Sequence, residues 1–186
     1  MKQAGIVASL WRFPVKSIRG EELDQAFAGF GGIYGDRWYA ILSEGSIPGF
    51  PYLTPRVMEA FLLYSATYRN QVAMSLPPNL AEAQVLGPGV TPIFPDEADC
   101  QVDVRTPDGH SFAIDDPALF DFLRAQLPEK HQRLSIRRSQ RPMTDCRPLG
   151  LISQQTASLL SREVGEELGV RRFRANINLD LALGAS

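Results

Sequence analysis

The chain has 186 residues, of which 44% are hydrophobic, and its formal net charge is −2. These values exclude an intrinsically disordered chain, because the apolar content is enough to build a buried core. The small negative charge disfavours general attraction to nucleic acid or to an anionic membrane surface, since both require a positive field. The 14 prolines and 15 glycines lie without a period and divide the chain into short segments, which predicts a β-rich body.

The strands predicted in the first part of the chain are short runs rich in β-branched and aromatic side chains. One hairpin is marked by the turn sequence Pro107-Asp108-Gly109, which separates two such runs. In chain order, the predicted strands cover residues 5–11, 23–27, 35–42, 60–68, 72–76, 101–105 and 110–114. Together they predict a small β-barrel or sandwich that ends near residue 115.

Two helices are predicted in the second part of the chain. Asp116 suits an N-cap and Pro117 suits the first helical position, so a helix is expected to follow them. Its apolar face consists of Leu119, Phe122, Leu123 and Leu127. After a short strand over residues 148–152, Ser153 is a candidate cap for a second helix that ends at Gly169. The apolar stripe of this second helix consists of Ala157, Leu160, Val164 and Leu168.

Basic residues concentrate in the last third of the chain. The arginines of this region are Arg133, Arg137, Arg138, Arg141, Arg147, Arg171, Arg172 and Arg174. We interpret Arg137, Arg138 and Arg141 as a solvated loop, with the alternative that they line an entrance for an anionic substrate or cofactor. The basic turn at residues 172–177 precedes a last apolar strand, and Lys16-Ser17 follows the first strand. These two segments together indicate a site for an anionic ligand.

The cysteines and histidines argue against a disulfide framework and a zinc site. Cys100 and Cys146 are isolated from each other in sequence, and the two histidines have no paired spacing, so reduced thiols are expected. Arg12 and Lys16 interrupt the apolar residues near the N-terminus, and no apolar run approaches the length of a membrane span. We therefore expect a cytoplasmic protein without nucleic-acid or membrane partners.

Four sequence motifs in this order resemble the MOSC family with its N-terminal β-barrel domain: residues 7–20, 35–38, 144–153 and 172–177. The pattern is most similar to the mitochondrial amidoxime-reducing component and its bacterial counterparts. The resemblance implies a β-rich α+β fold. It places an N-terminal MOSC-type β-barrel domain with its closing helix at residues 1–127 and a partial MOSC domain at residues 128–186.

The resemblance implies a molybdenum cofactor, molybdopterin, whose phosphate is held by side chains from both domains. The residues at matching positions are Lys16, Ser17, Arg37, Arg174 and Asn176. Arg174 and Asn176 alternate along a presumed strand and are expected to share one of its faces. Without the resemblance, Lys16-Ser17 would be interpreted as a solvated turn, and Arg37 as the partner of Asp36 in a surface ion pair of little energetic weight.

Asp145 stands where the family usually has an aspartate, but the next two positions depart from the family pattern. Cys146 and Arg147 occupy positions where the amidoxime-reducing relatives have small hydroxyl residues that help to hold the pterin. We assign both to the cofactor site, where Arg147 would either contact the phosphate or shape a different substrate entrance. The alternative for Cys146 is a small buried packing residue.

The resemblance also implies a cysteine that ligates molybdenum beyond the Arg174 to Asn176 motif, and no residue of this chain matches it. A C-terminally shortened MOSC domain without an assigned metal ligand or catalytic residue is therefore expected. The implied function is that of an oxidoreductase that reduces N-hydroxylated or other small oxidised substrates, with electrons from a separate reductase chain. The alternatives are a non-catalytic cofactor carrier and an interaction module, and an open apolar strand surface would favour a homodimer.

Overall fold

The computed structural model describes residues 3–87, 97–139 and 141–182. In these residues the fold is a mixed α+β structure with more strand than helix, which confirms the β-rich α+β prediction. The strands are β1 Gly5–Arg12, β2 Glu21–Leu23, β3 Ala28–Gly29, β4 Gly32–Ile33, β5 Tyr39–Ser43, β6 Ser65–Tyr68, β7 Val102–Arg105, β8 Ser111–Ala113, β9 Leu134–Arg138, β10 Leu151–Ser153 and β11 Ile177–Leu181. The α-helices are α1 Leu80–Ala83, α2 Pro117–Arg124 and α3 Gln154–Val164. Short 3₁₀ helices cover Glu59–Leu63, Glu129–His131 and Val170–Phe173.

The described strands form four separate sheets. The largest has the order β10-β11-β1-β2, in which β11 runs antiparallel to β1 and parallel to β10. The others are β6-β7-β8, β5-β9 and β3-β4. These sheets do not close into a barrel within the described residues. The MOSC-type domain layout and the boundary at residue 127 therefore stay predictions, and two strand pairs, β1 with β11 and β5 with β9, cross that boundary.

The β7–β8 hairpin and the N-caps of α2 and α3 depend on residues that are close in sequence, and they lie where the sequence predicts them. The β7–β8 hairpin turns through Gly109, whose φ of +94° is in the left-handed region that favours glycine. Asp116 caps α2 by accepting a hydrogen bond from the Ala118 backbone N–H. Ser153 caps α3 in the same way from the Thr156 N–H. Helix α3 ends earlier than predicted, at Val164, because Gly165 adopts a left-handed conformation and closes the helix.

Several predicted strands are wrong in their bounds or in their type. The strand expected at 23–27 lies at β2 instead, because the register of the β1–β2 pair places Glu21 opposite Arg12. Residues 34–37 form a turn, so the third predicted strand begins only at Tyr39. Residues 59–63 form a 3₁₀ helix before β6, and residues 72–76 form turns rather than a strand.

The sequence analysis also missed strand β9. It pairs antiparallel with β5, so that Arg138 lies opposite Tyr39, and the prediction of a solvated loop for Arg137 and Arg138 is wrong. Leu134 and Ile136, two residues apart on this strand, both pack against the core, whereas Arg137 is exposed. The basic residues obscured this two-residue period, because Arg137 stands at an outward position and Arg138 continues the face of Leu134 and Ile136 with a charged side chain.

The hydrophobic core lies mainly in the first 127 residues. A continuous cluster runs from Val15 to Leu127 and includes the fully buried Phe61, Leu119 and Leu123. Helix α3 buries only Ala157 of its predicted stripe. Helix α3 therefore buries little apolar surface against the sheet of β1 and β11, in contrast to the tightly packed cluster between Val15 and Leu127.

A buried histidine links strand β5 to the 3₁₀ helix at Glu129–His131. The Ser43 Oγ lies 2.9 Å from His131 Nδ1, and both residues are buried. Burial lowers the pKa of His131, and the neighbouring Lys130 cation lowers it further. Below the unfolded-state pKa of about 6.5, the unfolded chain binds the proton that the folded protein excludes, so the stability contributed by neutral His131 falls as the pH decreases.

We expect the free energy of unfolding to fall between pH 7.5 and pH 5.5 more in the wild-type protein than in the His131→Gln variant. Urea denaturation at the two pH values measures this difference. Burial raises the pKa of Asp36, which acts in the opposite direction, but that carboxyl group is present in both proteins and cancels in the comparison. The same pH dependence in both proteins would contradict the assignment to His131.

Candidate anion-binding site

The loop that leaves β1 is fastened to the turn before β5. The Phe13 backbone N–H donates to Asp36 Oδ1 at 2.8 Å, and the Arg37 N–H donates to the Phe13 carbonyl at 2.7 Å. Two residues further on, the Lys16 N–H donates to the Tyr39 carbonyl at 2.8 Å. These bonds hold the segment around Lys16 and the segment around Arg37 side by side, although twenty residues of sequence separate the two.

Arg37 connects three segments of the chain. Its guanidinium forms an ion pair with Asp36, donates from Nη2 to the Arg174 carbonyl at 3.0 Å, and lies with Nη1 3.5 Å from Asn176 Oδ1. The Asp36 side chain is fully buried and the Arg37 side chain is largely buried. The interpretation of this pair as a surface ion pair is therefore wrong. Arg37 also lies in a turn rather than at the start of a strand.

Arg174 and Asn176 lie before β11 rather than on it. Arg174 ends the 3₁₀ helix in a left-handed conformation, and β11 begins only at Ile177, so the prediction that the two side chains share one strand face is wrong. The buried Asn176 side chain donates to the Trp11 carbonyl at 3.1 Å and accepts from the Gly150 N–H at 3.2 Å. It thereby links the end of β1 to the segment before β10.

The two arginines meet at the ring of Phe13. The Cζ atoms of Arg37 and Arg174 lie 4.7 Å and 4.5 Å from the ring centroid, which is within the range of cation–π contacts. Arg174 also donates to the Ile18 carbonyl in the loop that follows β1. Two guanidinium groups from distant parts of the chain are thus held at one aromatic side chain.

Lys16 is buried and faces a different set of groups. Its Nζ forms an ion pair with Asp145, donates to the Met143 carbonyl at 2.8 Å, and lies 4.8 Å from the centroid of the Tyr52 ring. The Met143 N–H in turn donates to the Arg37 carbonyl at 2.9 Å. The Met143 peptide groups therefore connect the Lys16 side chain to the Arg37 backbone.

The remaining predicted site residues, Ser17, Cys146 and Arg147, are more exposed than Lys16. Ser17 is half-buried beside Lys16. Cys146 and Arg147 are exposed, and neither side chain has a hydrogen bond or an ion pair within the described residues. The interpretation of Cys146 as a buried packing residue is wrong, because the buried thiol is that of Cys100. The structure brings Asp145, their neighbour, to Lys16.

An unusual backbone conformation marks three of the predicted residues. Among the described residues, the only non-glycine residues with a positive φ are Ser17 at 75°, Arg37 at 52° and Arg174 at 51°. In L-residues the left-handed conformation costs roughly 1–2 kcal/mol, so it persists only where surrounding contacts enforce it. The resemblance to MOSC proteins implies a role in the cofactor site for the same three residues.

The electrostatics of the cluster favour an additional negative charge. Burial and, to a smaller extent, the nearby Arg37 cation together lower the pKa of Arg174 to about 10. Arg174 still carries its charge at neutral pH. The buried Asp36 carboxylate compensates one guanidinium, and Asp145, which compensates Lys16, is largely exposed. An oxyanion placed between the two arginines would relieve their mutual repulsion.

Sequence reasoning missed the groups that support the site. Asp36 was treated only as a surface partner, although its carboxylate holds both the Phe13 N–H and the Arg37 guanidinium. The aromatic residues Phe50 and Tyr52, which surround the Lys16 ammonium, were not selected at all. The one available signal was the Phe50-Pro51-Tyr52 sequence, in which two aromatic residues flank a proline.

Comparisons with known proteins identify no relative: no protein-family model, no curated protein and no solved structure matches this chain. Within residues 3–87, 97–139 and 141–182, no cluster of three or more histidine, cysteine or acidic side chains has the arrangement needed to hold a metal ion. In the same residues, none of the helices has the length and apolar character required to cross a bilayer.

Proposed function

We propose that the cluster around Phe13 binds the phosphate end of the molybdenum cofactor. The observation that carries this proposal is the coincidence of Ser17, Arg37 and Arg174 in the left-handed region. Backbone strain of this kind concentrates at ligand clamps and active sites, where the surrounding structure enforces it. The resemblance to MOSC proteins selects the same residues for a pterin phosphate.

The donors of the cluster fit an anionic ligand. Arg174 uses only its Nη1 for a hydrogen bond within the described residues, which leaves Nε and Nη2 for a phosphate oxygen. Arg37 uses both terminal nitrogens and keeps its Nε. Guanidinium groups bind phosphate oxygens in pairs, and each charge-assisted hydrogen bond contributes about 1.5–3 kcal/mol. Arg37 and Arg174 would therefore hold the phosphate. Asn176, whose amide is buried, would position the Arg37 guanidinium through its Oδ1.

Lys16 would reach the same ligand only in competition with Asp145. The Asp145 side chain is 72% exposed, so its carboxylate can exchange the ion pair with Lys16 for water at little cost. The Lys16 side chain is only 7% exposed and would need a new anionic partner in place of Asp145. Ser17 would add a hydroxyl donor beside Lys16. In this proposal Cys146 and Arg147 lie at the solvent side, where Arg147 would contact the ligand only from its exposed rim.

When bound, the cofactor would supply oxygen-atom transfer chemistry, and the protein would bind and orient it. The proposed reaction class is the reduction of N-hydroxylated or other small oxidised substrates. The electrons would come from a separate reductase, because the sequence contains no flavin, nicotinamide or iron–sulfur motif. A cytoplasmic location belongs to the same proposal and is supported by the free thiols of Cys100 and Cys146.

The direct test is the molybdenum-to-protein ratio of the chain purified from a host that makes the cofactor, together with fluorescence detection of the oxidised pterin. The proposal expects roughly equimolar molybdenum and pterin, since charge-assisted contacts of this number retain a small anion tightly. Folded protein that contains neither molybdenum nor pterin would refute it. Equimolar cofactor without turnover in the presence of a reductase would instead identify the carrier alternative.

A second candidate is an interaction module, favoured by apolar side chains that remain exposed on the sheet of β1 and β10. Val7 on β1 and Leu151 on β10 pair in register with Leu179 and Ile177 of β11, so the two side chains lie on the same face of the sheet. They are 55% and 58% exposed. Such side chains gain about 25 cal/mol for each Å² of apolar surface that a partner covers. The partner proposed here is a second copy of the chain.

Light scattering at micromolar concentration is expected to give the mass of a dimer, and the Leu151→Asp variant the mass of a monomer. An aspartate on the edge strand β10 would place a charge in the apolar contact. Val72→Asp is the matched control, because Val72 is 86% exposed outside this sheet. A wild-type monomer under these conditions would contradict the proposed self-association.

A further inference from the structure

A groove of about 880 Å³ lies next to the Phe13 cluster. Its apolar lining comes from Trp11 and Phe13, at the end of β1, and from Leu62 and Leu63, in the 3₁₀ helix before β6. Both leucines are about half exposed, so their apolar surface faces solvent at the groove. The volume is in the range of pockets that enclose small molecules, about 300–1,000 Å³.

The same groove is strongly basic. Four arginines line it, namely Arg19, Arg171, Arg172 and Arg174, against a single carboxylate, Glu22. This local excess of positive charge contrasts with the net charge of −2 for the whole chain. Of the residues selected from the sequence for the cofactor, only Arg174 belongs to this lining.

Three of the arginines are held at defined places on the groove wall. The Cζ of Arg171 lies 5.3 Å from the centroid of the Trp11 ring, and the Cζ of Arg174 lies 4.5 Å from that of Phe13. Arg19 donates from Nε to the Leu62 carbonyl at 2.9 Å. Each of these three guanidinium groups is therefore already positioned by a contact with the wall, and fewer side-chain rotations are lost when an anion binds.

We propose that this surface, the arginine groove, binds a small organic oxyanion with a flat apolar body, as a site additional to the cofactor cluster. The body would cover Trp11, Leu62 and Leu63. The oxyanion would receive hydrogen bonds from Arg19, Arg171 and Arg172, which belong to the groove lining and not to the cofactor cluster. Charge complementarity selects an anion, and the apolar lining distinguishes it from an inorganic ion. Carboxylates and phosphate esters share the required chemistry, because guanidinium groups bind both through paired hydrogen bonds.

Isothermal titration calorimetry of the purified full chain tests the proposal with four probes: 2-naphthoate, 2-naphthyl phosphate, 2-naphthol and acetate. At least one naphthyl anion is expected to bind tenfold or more tightly than both 2-naphthol, which lacks the charge, and acetate, which lacks the ring. Tight binding of the carboxylate identifies the ligand class as an organic acid, and tight binding of the phosphate identifies it as a phosphate ester.

Two substitutions of exposed residues locate the binding site without disturbing the core. Arg171→Glu reverses a groove charge and Leu63→Asp places a carboxylate on the apolar wall, so each is expected to weaken naphthyl anion binding at least tenfold. Arg162→Ala, an exposed arginine in the last turn of α3, is the control and is expected to bind as the wild type does. Circular dichroism confirms that each variant is folded.

The groove proposal is overturned if neither naphthyl anion binds, if acetate binds equally well, or if Arg171→Glu and Leu63→Asp leave binding unchanged. Its failure is distinguishable from failure of the proposed cofactor function, because molybdenum content is measured on the same samples. Binding of a naphthyl anion to protein without molybdenum would support the groove while it refutes the cofactor. Molybdenum retention without naphthyl binding would support the cofactor proposal and refute the groove proposal.

Discussion

The Arg12→Met variant is expected to lower the free energy of unfolding by about 3–5 kcal/mol. The Arg12 side chain is fully buried, and its Nη2 lies 2.6 Å from Oε1 of Glu21, whose side chain is 4% exposed. Arg12 also donates to the carbonyls of Tyr34 and Met74, and its Cζ lies 4.6 Å from the Tyr68 ring centroid. Removal of the guanidinium would leave the Glu21 carboxylate buried without its cation, which costs more than the ion pair itself contributes.

Urea denaturation measures this loss, and Arg69→Met is the matched control. Arg69 forms a comparable ion pair with Asp103, but its side chain is 49% exposed, so the control is expected to lose at most about 1 kcal/mol. The Arg12→Met/Glu21→Met double variant is expected to be more stable than Arg12→Met alone, because it removes the unpaired charge. Equal stability of Arg12→Met and Arg69→Met would contradict the energetic role assigned to burial.

The second large effect is expected at Arg174. The Arg174→Ala variant should retain at most a tenth of the wild-type molybdenum content after purification, because it removes two unpaired phosphate donors and the cation at Phe13. Arg37→Ala should reduce retention to a similar extent, since it also removes the hydrogen bond that holds the Arg174 carbonyl. The measurement is the molybdenum-to-protein ratio together with the oxidised pterin.

Arg138→Ala is the control for charge alone. Arg138 lies on β9, pairs with Glu97 and belongs to neither the Phe13 cluster nor the arginine groove. The molybdenum content of the Arg138→Ala variant should therefore match that of the wild type. Arg174→Lys keeps the charge but loses the paired donors, and intermediate retention is expected. Equal losses in Arg138→Ala and Arg174→Ala would contradict the location of the site. Circular dichroism separates loss of ligand from loss of fold.

Part of the fold was predictable because its determinants are adjacent in sequence. Strand β1 contains Ile6, Val7 and Trp11, which have high strand propensity. Asp116 caps α2 through a backbone N–H only two residues away. Strand β9 was not predictable in the same way, because Arg137 and Arg138 resemble a solvated loop until β5 provides their backbone partners. The turn at 34–37 was missed because its conformation depends on hydrogen bonds with two distant residues, Phe13 and Asn176.

The candidate site was predictable as a set of residues but not as an arrangement. The resemblance selected Arg37, Arg174 and Asn176, and Arg37 contacts both of the others. It also selected Lys16, whose ammonium group instead pairs with Asp145 beside Tyr52. Whether these groups bind a molybdenum cofactor stays a prediction, since contacts among donors do not identify their ligand.

The features that depend on neighbouring residues can be derived from the sequence: the β7–β8 hairpin, the caps at Asp116 and Ser153, and the β-rich α+β character. The burial of charges, in contrast, depends on contacts between distant segments. Asp36 and Arg12 look like ordinary surface residues in the sequence, and each is enclosed by groups from distant segments. A buried charge is tolerated only where a partner compensates its lost hydration, and the fold alone brings that partner into place.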